Sequence, residues 1–204
     1  MYYEGDLVAG KKQGWGKEYG IYGKIRYEGE YIAGQMHGSD LKVYNDSGLI
    51  TFNGSMKNGK REGYCQIYNE NGTLRYQGNM CNDVHHGKRC NLYNDQGSLI
   101  YAGEMTNGLK NNFGIQNWTD EDYPQYIGNW TNGTKKGKGR LYWPNGKLNV
   151  AGDFMNGVAV IERKGMVYYR EDGSIDGIGS FAGGKFQNSG FTRQKHRRAM
   201  SMLY

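Results

Sequence analysis

The chain has 204 residues, of which 34 are glycine and 18 are tyrosine, and hydrophobic residues make up 37% of it. That share is low for a globular chain, so a large single core is not expected unless aromatic side chains do the packing. No stretch approaches the roughly 18 consecutive apolar residues of a membrane-spanning helix. The first residues also lack a signal-peptide pattern, so we expect a cytoplasmic protein with reduced cysteines.

The net charge of +6 is concentrated at one end of the chain. Residues 191–204 contain no acid, and their four cations account for most of the excess. Because the rest of the chain is close to electrically balanced, we do not predict a nucleic-acid-binding surface. The four cations are Arg193, Lys195, Arg197 and Arg198.

A phrase of an aromatic residue, a glycine, a bulky residue and a second glycine recurs along the chain every 24 or 25 residues. A degraded further copy begins near Gly177. A period this regular is the signature of a repeat protein. The main copies begin at Tyr3, Tyr27, Phe52, Tyr76, Tyr101, Tyr126 and Val150.

Each repeat reads as one β-hairpin. Its first half alternates with period two, as in Tyr27, Gly29 and Tyr31, which are separated by acids. This alternation predicts a strand with one packed face and one solvated face. The glycine between two large side chains leaves room for a neighbouring ring to lie over it. Pairs such as Asn132-Gly133 then predict a tight turn, because both residues tolerate positive φ.

A second strand with an aromatic residue near its end completes the hairpin. An isolated hairpin is at best marginally stable in water, whereas hairpins stacked edge to edge pair every internal strand. We therefore predict an all-β, single-layer antiparallel sheet of about seven to eight hairpins over residues 1–190. Residues 191–204 are predicted to form a short basic helix, which either caps the last strand or binds an acidic partner or membrane.

The best copy, YIGNWTNGTKKGKGRLYWPNG from Tyr126 to Gly146, resembles the MORN repeat (membrane occupation and recognition nexus). The resemblance extends over about residues 3–184. It implies an elongated, twisted sheet with an aromatic-lined groove, and the role of a scaffold or adaptor. Some copies depart from the pattern: Asp83 stands at a turn glycine, and Asn112 stands at the later glycine of its repeat.

The packed face of a one-layer sheet has no second layer above it, so its aromatic stripe is expected to stand partly open to solvent. We predict that this stripe forms a groove for an extended or helical segment of a partner protein. The predicted groove residues are Tyr31, Tyr44, Met56, Tyr68, Met80, Tyr93, Met105, Trp118, Trp130, Tyr142 and Phe154.

No enzyme chemistry is predicted. The acids that recur at repeat positions fall on the solvated face of the strands, and no nucleophile, zinc-protease or phosphate-loop motif occurs. Cys81, His85, His86 and Cys90 are of the types that bind zinc, but their spacing does not match the usual structural sites. We therefore predict no catalytic residue, no cofactor and no metal.

Three binding roles remain open at this point. The first is a protein-binding scaffold that also self-associates, because the strand at Tyr3 has no evident cap and could pair with a second copy. The second is a peripheral membrane or cytoskeletal adaptor that binds anionic phospholipid through the basic tail. The third is a carbohydrate-binding repeat protein, since repeated tyrosine, tryptophan and glycine also suit sugar stacking.

Overall fold

The computed structural model describes residues 2–119, 123–160, 166–182 and 185–188. Every regular element in these residues is a β-strand. The strands fall into two compact units, residues 1–109 and residues 110–204. The predicted all-β hairpin fold is therefore confirmed, whereas the predicted C-terminal helix lies outside the described residues.

The first unit is one antiparallel sheet in which each long strand pairs with the next long strand along the chain. Two short strands, β4 and β9, pair with the same partners as the longer strands that follow them. The strands are β1 (Tyr2–Val8), β2 (Lys11–Tyr19), β3 (Ile25–Ile32), β4 (Gln35–Met36), β5 (Gly38–Tyr44), β6 (Ile50–Lys57), β7 (Lys60–Tyr68), β8 (Leu74–Cys81), β9 (Val84–His85), β10 (Gly87–Tyr93) and β11 (Leu99–Thr106).

The second unit repeats this arrangement. Successive strands pair antiparallel, and the short strand β16 shares its partner β15 with β17. Its strands are β12 (Leu109–Asn117), β13 (Pro124–Thr131), β14 (Thr134–Tyr142), β15 (Leu148–Met155), β16 (Val158–Ala159), β17 (Met166–Tyr169), β18 (Ile175–Ala182) and β19 (Lys185–Asn188).

The hairpin turns have the predicted backbone conformation. Asn132 has a φ of 48° and Gly133 a φ of 79°, which is the left-handed pair that a two-residue hairpin requires. The turn also joins neighbouring repeats, because the amide of Gly133 donates to the carbonyl of Lys110 at 2.8 Å. The amide of Gly59 donates in the same way to the carbonyl of Met36, so the turns stack on one another.

The two departures from the repeat pattern keep the same conformation. Asp83 has a φ of 68° and Asn112 a φ of 51°, in the region where aspartate and asparagine are tolerated better than most residues. The Asp83 carboxylate accepts hydrogen bonds from the backbone amide of Arg61 at 3.1 Å and from its Nε at 2.8 Å. These contacts help to offset the conformational cost of replacing glycine.

The first aromatic residue of each repeat from Tyr27 to Tyr126 is buried and builds the core. Tyr126 is fully buried, and its hydroxyl donates to the carbonyl of Asn129 at 3.0 Å. Its ring lies over Gly128 and Gly139, where a side chain would collide with it. Tyr27 is buried in the same way, and its hydroxyl donates to the carbonyl of Glu30 at 2.9 Å. The predicted role of the strand glycine is therefore confirmed.

These contacts define two faces of each sheet. The tyrosine face is the one to which Tyr27 and Tyr126 point, and the outward face is the opposite one. On β3 the buried residues alternate with more exposed ones, as a strand with one packed face requires. Glu28 and its cross-strand neighbour Lys42 lie on the outward face.

Candidate functional site

Most of the predicted groove residues on the first strand of each hairpin are not open to solvent. Tyr31 is 2% exposed and Trp130 is 4% exposed, and Met80, Met105 and Phe154 are also buried. The expectation of a partly open stripe was wrong for these five side chains. Met56 alone of this set is half-buried.

A row of half-buried side chains covers the stripe. Each member stands nine residues after the first aromatic position of its repeat. Lys12 Nζ lies 5.2 Å from the ring centroid of Tyr31, and Lys110 Nζ lies 4.6 Å from that of Trp130. An ammonium group over the face of an aromatic ring is attracted by the negative charge of that face, and it closes the ring off from solvent. The row comprises Lys12, Met36, Arg61, His85, Lys110 and Lys135.

The charged side chains of this row have different surroundings. Lys12 forms an ion pair with Glu18. Burial would raise the pKa of Glu18, but hydrogen bonds from Lys12 and Tyr31 outweigh burial and hold that pKa below its usual value. Burial, together with the charge of the neighbouring Lys135, lowers the pKa of Lys110 to about 8. The tyrosine face therefore presents cations rather than open rings.

The predicted second-strand aromatics lie on the outward face. Tyr44 donates from its hydroxyl to Glu28 at 2.6 Å, and Tyr93 donates to Gln77 at 3.4 Å. Tyr68 and Tyr142 occupy the same repeat position and are half-buried. The residues predicted to line one groove are thus divided between opposite faces, which corrects the single-groove arrangement.

Trp118 belongs neither to the buried first-strand residues nor to the second-strand tyrosines on the outward face. Its backbone amide closes a turn by donating to the carbonyl of Tyr123 at 3.2 Å. Trp143 does the same with Lys147 at 2.8 Å in the next repeat. The residue that matches Tyr142 is therefore Asn117 rather than Trp118, and the sequence comparison was displaced by one position.

Three exposed aromatic side chains that were not predicted as site residues recur at one position of every second repeat. Trp15, Tyr64 and Phe113 are 56%, 53% and 57% exposed, respectively. They are 49 residues apart, which is two repeats, and all three are outward-facing. The matching positions of the intervening repeats are polar and exposed: Ser39, Lys88 and Lys138. A search for a period of two repeats would have found them.

The outward face of the first unit is polar between these aromatic residues. Glu28 lies 3.4 Å from Lys42 Nζ, and Asn53 donates to Gln66 at 3.4 Å across the next pair of strands. Lys17 Nζ lies 5.2 Å from the centroid of the Trp15 ring. The exposed rings therefore stand within a surface whose other groups are hydrogen-bonded or charged.

The outward face of the second unit is more apolar. Ile115 and Ile127 are cross-strand neighbours, and they occupy the positions that polar side chains fill in the first unit. A depression of about 530 Å³ lies beside them, and Phe113, Lys138 and Arg140 contribute to its lining. The two units thus offer exposed aromatic residues in different surroundings.

The cysteine and histidine residues of the fourth repeat do not converge. Cys90 is buried, and its sulfur accepts a hydrogen bond from Tyr76 at 3.3 Å, whereas Cys81 is exposed. Among the described residues, no group of three or more histidine, cysteine or acidic side chains could hold a metal ion. The predicted membrane-binding residues Arg193, Lys195, Arg197 and Arg198 lie outside the described part of the chain.

Stacked hairpins joined turn to turn around a tyrosine core define a β-hairpin repeat protein. The family model of the MORN repeat matches residues 27–39, 52–74, 101–123 and 126–147. The chain belongs to the MORN repeat proteins. A comparison with curated proteins gave no match. Where the structure describes the chain, it contains no helix with the length and apolar character needed to cross a bilayer.

Proposed function

We propose that this chain is a non-catalytic scaffold that binds a segment of a partner protein through the outward faces of its sheets. MORN repeats are consistent with a binding or scaffold role. The observation that carries the proposal is the exposure of Trp15, Tyr64 and Phe113 at one position of alternate repeats. Large aromatic residues of this kind are enriched at interaction hot spots.

Burial of these rings against a partner segment would contribute favourable binding free energy. Full burial of a large apolar side chain contributes about 1.5–3 kcal/mol, so burial of a half-exposed ring contributes about half of that. The rings project from strands whose registers are fixed by cross-strand pairing, as with Trp15 opposite Glu30 and Tyr64 opposite Asn79. A partner would therefore meet aromatic residues whose backbone positions are already fixed, which reduces the entropic cost of binding.

Binding of partners by the purified chain tests this proposal. Trp15→Ser, Tyr64→Ser and Phe113→Ser are expected to keep the fold and lose partner binding, because the three side chains are largely exposed. The matched control carries Ser39→Ala, Lys88→Ala and Lys138→Ala at the intervening positions. Unchanged binding by the aromatic variant, with the fold intact, would refute the use of this face.

Self-association is a second candidate role, favoured by strand β1. Leu7 and Val8 are exposed on this strand, and β2 is the one described strand that pairs with it. An exposed strand edge with apolar residues invites pairing with another chain. We expect a concentration-dependent dimer by sedimentation that Leu7→Lys and Val8→Lys abolish. A monomer at all concentrations would count against it.

Three further expectations from the sequence stay predictions: the cytoplasmic location, anionic lipid binding by the tail, and carbohydrate binding.

A further inference from the structure

A cavity of about 510 Å³ lies in the first unit beside the ring of Tyr76. One part of its lining is apolar and includes Ile67, Leu92 and Ile100. Ile67 and Leu92 flank Tyr76 in the register of β7, β8 and β10, so they share its face of the sheet. The cavity therefore has room and apolar surface for a short hydrocarbon chain.

The rest of the lining is mainly polar and carries two arginines. Arg61, Arg75 and His85 come from β7, β8 and β9, and Asp83 is the one acid among the lining residues. The Asp83 carboxylate is already engaged by Arg61, whose Nε lies 2.8 Å away. In the described part of the chain Arg75 forms no ion pair, so its guanidinium is available to an incoming anion.

His85 lies near Arg61 and Arg75 in this lining. Its imidazole stacks on Tyr76 with the ring centroids 3.9 Å apart and the planes at 16°. Burial lowers the pKa of His85, and the charges of Arg61 and Arg75 lower it further. The imidazole is therefore mainly neutral at neutral pH, and its protonation is opposed by Arg75, a cation that forms no ion pair in the described part of the chain.

We propose that this cavity binds a carboxylate carried on a short apolar chain. The carboxylate lies between Arg75 and His85, and the chain lies against Ile67, Leu92 and Ile100. A guanidinium matches a carboxylate with two parallel hydrogen bonds, which makes Arg75 the principal contact. The site is distinct from the outward-face aromatic residues of the proposed function and does not depend on them.

Carboxylate binding in this cavity is expected to depend on pH. The titratable or charged residues that line the cavity with His85 are Arg61 from β7, Arg75 and Tyr76 from β8, Asp83 from the turn before β9, and Tyr93 from β10, whose hydroxyl donates to Gln77; Ile100 from β11 is uncharged. A bound carboxylate adds negative charge beside the imidazole and favours its protonated form. Binding and protonation are therefore linked, and affinity rises as the pH falls through the His85 titration.

Hexanoate is a suitable probe, and the imidazole signals of the four histidines in the NMR spectrum of the full chain are the readout. The signal of His85, assigned through His85→Gln, is expected to shift saturably with hexanoate at pH 6 and less at pH 8. Hexanol, which lacks the charge, and inorganic phosphate, which lacks the chain, are expected to bind at least about tenfold more weakly.

Arg75→Gln should weaken hexanoate binding about tenfold or more, since it removes a charge-assisted hydrogen bond. Arg26→Gln is the matched control, because Arg26 occupies the same position two repeats earlier and should leave binding unchanged. Absence of a saturable His85 shift in a folded protein would overturn the proposal. Equal binding of hexanol, or no effect of Arg75→Gln, would do the same.

Discussion

Gly139→Ala is the sharpest perturbation of the tyrosine core. An added Cβ at this position would lie 2.5 Å from Cε2 and 2.6 Å from Cζ of Tyr126, well inside normal contact distance. The Tyr126 ring is fully buried, so it has little room to retreat. Relief requires either a shift of β14 away from β13 or loss of the hydrogen bond from Tyr126 to the carbonyl of Asn129.

The expected magnitude follows from these contacts. Overpacking of a close-packed core costs about 1–3 kcal/mol. The hydrogen bond of Tyr126 adds about 0.5–1.5 kcal/mol if it is broken. We therefore expect Gly139→Ala to lower the free energy of unfolding of the second unit by about 2–4 kcal/mol.

Urea unfolding followed by circular dichroism measures this loss. Gly20→Ala is the control, because its added Cβ would meet Arg26 Cδ at 3.1 Å, in a long side chain that can move. We expect the control to change stability by less than about 0.5 kcal/mol. If Gly139→Ala is as stable as Gly20→Ala, the tyrosine rings do not depend on the glycines and the account of the core is wrong.

Three further predictions concern named side chains. Trp130→Ser should lower the free energy of unfolding by about 3 kcal/mol or more, because the side chain is buried, whereas Phe113→Ser should cost less than about 1 kcal/mol in the same urea titration. Asp83→Ala should be less stable than Asp83→Gly by about 1 kcal/mol, since alanine is strained at a φ of 68°; equal stability would contradict this. The pKa of His85 is lowered by folding, so its stabilising contribution is present above the unfolded pKa of about 6.5 and is lost as the pH falls through the lower folded pKa. His85→Gln should therefore reduce the fall in the free energy of unfolding between pH 7 and pH 5. An unchanged pH dependence would refute a lowered pKa of His85 in the folded protein.

Local backbone chemistry made much of this fold predictable. Alternation predicted strands such as β3, and Asn-Gly pairs predicted the turns, because both depend on residues next to each other in sequence. The role of glycine beside Tyr126 was also predictable, since only an absent side chain leaves space for a ring. Asn112 and Asp83, which replace glycine at turn positions, are also explained, because asparagine and aspartate tolerate positive φ.

The burial of Tyr31 and Trp130 could not be predicted from the same pattern. The side chains that cover them include Lys12 and Lys110, which a hydrophobic count treats as solvated. Their ammonium groups nevertheless lie over the rings from a neighbouring strand, and that contact depends on a strand register that a single repeat does not specify. The expected open stripe consequently became part of the core.

The sequence analysis also missed that the predicted groove residues lie on opposite faces of the sheet, and the reason is different. Second-strand positions were compared by aromatic residue type, so Trp118 was matched with Tyr142 although Asn117 holds that place. Trp15, Tyr64 and Phe113 escaped notice because repeats were compared with their neighbours, whereas these residues recur in every second repeat. Exposure is a property of the folded sheet, and it identified them directly.

The most direct test of the proposed function is a quantitative affinity purification from the native cell, using three forms of the full chain. The wild type and the control with Ser39→Ala, Lys88→Ala and Lys138→Ala are predicted to enrich the same partner proteins. The variant with Trp15→Ser, Tyr64→Ser and Phe113→Ser, shown to be folded by circular dichroism, is predicted to lose them. Retention of those partners by the folded aromatic variant would contradict the proposal that the outward face is the binding surface.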